Sequence, residues 1–208
     1  MHSFSIQEAL WFGWEKLRAH SRLVFEVVLT ILGLEVLQAI VSRTLAGTAL
    51  GFVSMVVLFV LEFLAGIGAT RIALKLARGE RSIYADIVPP WELAWRYLLA
   101  SLLAALIIVL GLIALIIPGM YFMLRFFFVR FAIIDGARVI ESLGLSSTLT
   151  GGHKWHLLGF FIVIVLLNIV GALLLIVGLL VTLPVSMLAM AQVYLILKGA
   201  DHPHAHSH

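Results

Sequence analysis

No cysteine occurs anywhere in the 208 residues, which excludes a disulfide framework, thiolate zinc sites, haem attachment through paired cysteines and a thiol nucleophile. Charge is almost as scarce, at 12% of residues, far below the quarter usual in soluble domains. No HExxH zinc helix, no GxSxG nucleophile elbow and no nucleic-acid-binding motif is present. The residues Met1 to Arg22 are amphipathic and charged and lack a small-residue cleavage site, so no cleaved signal peptide is expected.

Hydrophobic residues fill the gap, at 62% of the chain and a mean hydropathy of +1.13. The relevant solvent is therefore a bilayer. Crossing roughly 30 Å of hydrocarbon takes about 20 apolar residues. Leu23 to Val41, Thr48 to Thr70, Leu98 to Ile117 and Leu157 to Leu180 meet or approach that length. Two shorter stretches, Met120 to Ile134 with Arg125 and Arg130, and Val181 to Leu197 with Pro184, complete six expected spans.

Charge placement supports that count, because Lys and Arg collect in alternate connections. Lys16, Arg18 and Arg22 precede the first span; Arg71, Lys75, Arg78, Arg81 and Arg96 separate the second and third. Arg138 and Lys154 separate the fourth and fifth, Lys198 follows the sixth, and Arg43 alone falls on the other side. The positive-inside rule then puts both termini in the cytoplasm. The net charge of +3 points to anionic lipids at the cytoplasmic face rather than to nucleic acid.

Apolar links ending at Pro118 and Pro184 read as tight turns of helical hairpins. Short similar words, Glu8-Ala9-Leu10-Trp11, Glu92-Leu93-Ala94-Trp95 and Glu141-Ser142-Leu143-Gly144, precede the odd-numbered spans. The pattern implies three units, each an interfacial elbow helix followed by a hairpin. Trp11, Trp14, Trp91, Trp95 and Trp155 all lie in these elbow segments, where an amphipathic ring suits the head-group boundary. The first elbow combines a Ser5/Glu8 capping box with an apolar stripe of Ile6, Leu10, Trp14 and Leu17. The third, Ala137 to Thr150, sets Leu143 and Leu149 against Ser146 and Ser147 and stops at Gly151-Gly152. Both are expected along the inner surface of the membrane.

The fold class expected is thus all-α and polytopic, with residues 1–200 forming one six-helix transmembrane domain. Residues 201–208, carrying His202, His204, His206 and His208, are expected to be a disordered tail, weak divalent-metal binding being the alternative.

Between Ile117 and Trp155, the run Ile117-Pro118-Gly119-Met120-Tyr121, then Arg125, Asp135, Glu141-Ser142-Leu143, Ser147, Leu149-Thr150, Gly152 and Trp155 resembles the YciC-like bacterial inner-membrane proteins. It is similar too to the membrane domain of some glycerophosphodiester phosphodiesterases. The chain departs from that pattern at Gly144-Leu145. The resemblance implies a six-span fold in a bacterial cell (inner) membrane, without an activity or a catalytic residue to carry over.

Polar groups inside the spans are the remaining candidates: Glu26, Glu35 and Gln38 in the first, Glu62 in the second, Arg125 and Arg130 in the fourth, Asn168 in the fifth and Gln192 in the sixth. A charge near a helix centre costs about 2.5–3.5 kcal/mol on insertion scales, so each must face protein or water. They serve either as interhelical polar glue or as a path for an ion, proton or lipid head group. Depth counted at about 1.5 Å per residue pairs Glu35 with Arg125 and Glu62 with Arg130. No nucleophile with a base, no cofactor and no metal site can be named. The expected function is therefore non-enzymatic, a packing, assembly or membrane-organising role. The alternative is a small transporter or channel using Glu35, Glu62 and Arg125. Small faces such as Ala100 with Ala104 and Gly171 with Gly178 serve helix packing or a homo-oligomeric contact equally well.

Overall fold

The computed structural model describes residues 4–201; the histidine tail from His202 to His208 lies outside them. The described residues form nine α-helices and one 3₁₀ turn: α1 (Ile6–Ala19), α2 (Ser21–Thr44), α3 (Ala49–Ala77), η1 (Tyr84–Ile87), α4 (Trp91–Ala114), α5 (Ile116–Arg125), α6 (Val129–Ile134), α7 (Val139–Gly151), α8 (Lys154–Leu173) and α9 (Leu175–Asp201). The chain is all-α, and α2, α3, α4, α8 and α9 are each long and apolar enough to cross a membrane. The stretch Met120 to Ile134 differs from a plain span. A turn at residues 126–128 splits it into α5 and α6.

Consecutive helices pair, α2 on α3, α4 on α5 and α6, and α8 on α9. The α2–α3 connection turns at Gly47, whose φ of 75° favours glycine. Thr48 then caps α3 by accepting from the Gly51 amide at 3.0 Å.

The two later connections fall elsewhere than the prolines indicate. The α4–α5 link is Leu115 and the α8–α9 link is Leu174, so Leu175 to Leu180 belongs to α9 rather than to the preceding span. Pro184 lies inside α9. What closes each hairpin is a glycine pair. A Cβ on Gly111 would approach Gly119 Cα at 3.2 Å, and a Cβ on Gly178 would meet Gly171 Cα at 2.8 Å. Missing side chains let the two backbones cross immediately beside the turn.

The elbows also depart from expectation. The predicted cap of α1 is present, with Ser5 accepting from the Glu8 amide at 3.3 Å. Yet α1 packs along α9, through Ala9, Gly13 and Leu17 rather than Trp14. A Cβ on Gly13 would touch the Val185 carbonyl at 2.5 Å and the Ala189 amide at 3.3 Å. The first helix is therefore a bundle member. The second elbow does not exist as a separate element, because Pro89-Pro90 starts a single helix running from Trp91 to Ala114.

Burial concentrates at the cation-rich end of the helices. Ala65 to Leu76 of α3, Val129 to Ile133 of α6 and Val185 to Leu197 of α9 supply most of the core. Toward the connection end, α3 exposes Leu50, Phe52, Val53, Phe59 and Leu61.

Candidate functional site

The break between α5 and α6 is held open by α7. Phe127 and Val129 donate to carbonyls three residues back, which leaves the Phe128 amide and the Arg125 carbonyl without their helical partners. The Ser146 hydroxyl takes both, accepting from Phe128 N at 3.1 Å and donating to Arg125 O at 2.9 Å. Thr150 adds a second donor to Arg125 O at 3.3 Å, and Arg125 Nε donates to the Ser147 hydroxyl at 2.6 Å. Ser142, Ser146 and Thr150 are fully buried. The third elbow thus turns its hydroxyl face inward, where a broken backbone needs donors and acceptors as much as water would supply them. The break sends Phe128 into the core, where its ring packs with Phe131 and Tyr194.

Two carboxylates organise the cation-rich end. Asp135 receives Arg78 from the end of α3, Lys198 from the end of α9, and the Tyr194 hydroxyl at 2.8 Å. Burial alone would push its carboxyl up, but these three donors outweigh it and hold the pKa below the ordinary carboxylate value. Asp86, in η1, receives Lys75 at 2.8 Å, the Ser82 hydroxyl at 2.9 Å and the Ile83 amide at 3.1 Å, with Arg71 at 3.8 Å. Desolvation is again outweighed, and the Asp86 pKa falls to about 2. The loop carrying Asp86 folds back onto α3 because Gly68 has no Cβ to meet the Ile87 carbonyl, and Tyr84 closes it by a 2.7 Å hydrogen bond with Thr30 of α2. Sequence reading gave Asp86 no role and quoted Asp135 only as part of the resemblance; their ion-pair partners lie 11 to 63 residues away.

The intramembrane polar candidates fall at separate places. Glu26 pairs with Arg22 one turn earlier at 3.0 Å, with Arg22 94% exposed. Glu35 lines an apolar cavity of about 550 Å³ between α2, α3, α8 and α9, together with Asn168 and Ser186. Asn168 Nδ2 donates to Ser186 Oγ and Ile164 O, both at 2.9 Å. Gln38 Oε1, Glu62 Oε1 and Asn168 Oδ1 are buried without a hydrogen-bond partner among the described residues. Arg130 is exposed, and Gln192 lines a shallow groove between α1 and α9.

Neither expected ion pair forms. No ion pair among the described residues joins Glu35 to Arg125 or Glu62 to Arg130. The depth count assumed a straight fourth span, whereas the break brings Arg125 to α7 and the start of α8. All five tryptophans project from the bundle, Trp155 most at 85% exposed. Among the described residues no group of three or more His, Asp or Glu side chains is arranged to hold a metal ion. Comparison with protein-family models, with curated proteins and with solved structures finds no match to this chain.

Proposed function

We propose that this chain is a six-span protein of a bacterial inner membrane, with both termini in the cytoplasm and a non-enzymatic role in packing, assembly or organisation of the bilayer. The α5–α6 segment serves as the fourth crossing, and its three hairpins are α2–α3, α4 with α5–α6, and α8–α9. The alternation of Lys and Arg between connections supports the orientation. Anionic lipids at the cytoplasmic face are the partners that its basic connections suit. The likeness of Ile117 to Trp155 to the YciC-like proteins and to the phosphodiesterase membrane domain agrees with this reading.

The observation that carries the role is the dispersal of the polar groups. Among the described residues Glu26 pairs with Arg22, Glu35 lines the apolar cavity and Arg125 donates to Ser147, while the α2–α3 hairpin presents a broad apolar face. Such a surface suits contact with lipid or with other membrane proteins. A transporter is the second reading, favoured by the cavity that Glu35 shares with Asn168. Flux through the purified protein in liposomes separates the two. No substrate-dependent flux is expected; a flux abolished by Glu35→Gln in a protein that still folds would put the transporter first.

A further inference from the structure

Most cations near the cation-rich ends of α3 and α9 have carboxylates. Arg71 and Lys75 share Asp86, Arg78 and Lys198 share Asp135, and Arg22 has Glu26. Arg125 and Lys154 do not take part in any ion pair among the described residues. Instead they converge on one ring. Lys154 Nζ lies 4.3 Å from the Tyr121 centroid and 3.2 Å from its hydroxyl oxygen, and the Arg125 guanidinium carbon lies 5.9 Å from the same centroid.

The two positive charges therefore sit within about 10 Å of each other, a repulsive arrangement in a medium of low dielectric. Arg125 Nε donates to the Ser147 hydroxyl and the guanidinium lies against Tyr121; a guanidinium fork suits a phosphate. Tyr121 is 38% exposed and Met120 45% exposed. Trp155, next to Lys154, is 85% exposed. A tryptophan and a tyrosine beside two unpaired cations mark a boundary between hydrocarbon and head groups.

We infer that Arg125 and Lys154 form a site for the phosphate of an anionic phospholipid, with Tyr121 beneath the head group and Trp155 at the lipid boundary. A zwitterionic lipid brings its own ammonium to the phosphate and gains less from two protein cations. The site rests on these contacts alone and is assigned to neither leaflet, so it does not depend on the orientation proposed above.

The test is thermal unfolding of the full chain in detergent with added phosphatidylglycerol, phosphatidylcholine or inorganic phosphate. Phosphatidylglycerol should stabilise at concentrations well below those at which phosphatidylcholine does. At roughly 1 kcal/mol per cation near a membrane surface, each cation removed should weaken that preference about fivefold. The comparison is between Arg125→Gln/Lys154→Gln and Arg43→Gln/Arg81→Gln, which removes the same charge elsewhere and should keep the preference. Lys154→Gln alone leaves the Arg125–Ser147 bond in place and supplies the reading if the first double variant does not fold. Equal stabilisation by phosphatidylcholine, an undiminished preference in Lys154→Gln, or full reproduction of the effect by inorganic phosphate would each overturn the lipid site. Detergent removes sidedness from the measurement, so a wrong orientation leaves this result unchanged and appears only in labelling of intact cells.

Discussion

Ser146 bonds at once to the Phe128 amide and the Arg125 carbonyl, two groups on opposite sides of a helix break and 18 and 21 residues upstream of it. One buried hydroxyl thereby replaces the hydrogen bonding that a continuous fourth helix would have made for itself. Ser146→Ala leaves the Phe128 amide unsatisfied in the core and the Arg125 carbonyl with only the longer Thr150 contact, and should destabilise the fold by about 2 kcal/mol. Ser147→Ala removes only a side-chain contact to Arg125 and should cost less than about 1 kcal/mol. Unfolding in mixed micelles measures both; equal losses would refute the assignment of the break to Ser146.

That break marks the limit of what the sequence disclosed. The apolar runs of α2 and α3, the Ser5 cap and the end of α7 at Gly152 are local signals and appear where they were expected. Phe126-Phe127-Phe128 contains neither glycine nor proline, so nothing local announces a turn there. The serines of α7 read as a water-facing stripe because a helix facing a broken backbone and a helix facing water need the same side chains. The prolines misled in the opposite sense, since Pro184 is absorbed within α9. Glycine pairs, identifiable only once the helices are placed together, define the turns.

Gly66 and Gly68 lie two residues apart in α3 but differ in surroundings. A Cβ at Gly66 meets nothing within 4 Å, whereas one at Gly68 collides with the Ile87 backbone. Gly66→Ala should be neutral or slightly stabilising by helix propensity. Gly68→Ala should detach the 79–90 loop and raise tryptic cleavage at Arg81 by about tenfold, the factor for roughly 1.4 kcal/mol of local opening. Similar cleavage rates in the two variants would show that the loop is not held at Gly68.

Acid should loosen the cation-rich end. Asp86 and Asp135 both have folded pKa values below the ordinary 3.8, Asp86 at about 2. Depressed values mean stability that is fully present above the unfolded pKa and is lost as pH falls through the folded one. Stability from these groups should hold from neutral pH down to about 4 and decline from there toward about 2. Asp86→Asn should flatten part of that decline. A variant with the same slope as the parent would remove Asp86 from the account.

The absence of cysteine makes topology simple to test. A single cysteine replacing Thr48 should react with an impermeant thiol reagent in intact cells, and one replacing the exposed Arg81 only after the membrane is opened. Ready labelling at Arg81→Cys in sealed cells would reverse the orientation.

The docking of α1 on α9 and the convergence of Tyr194 and Lys198 on Asp135 set an order of events during synthesis. The first helix emerges with its Ala9–Gly13 face lacking a mate, and α6 emerges with Asp135 short of two of its three partners. Both wait until the last helix has been made. Until then the earlier hairpins hold only their nearest-neighbour contacts, the low-sequence-separation ones that form early. A chain truncated before Val185 should therefore insert its earlier hairpins yet never close, and a quality-control protease would find it open at its cation-rich end.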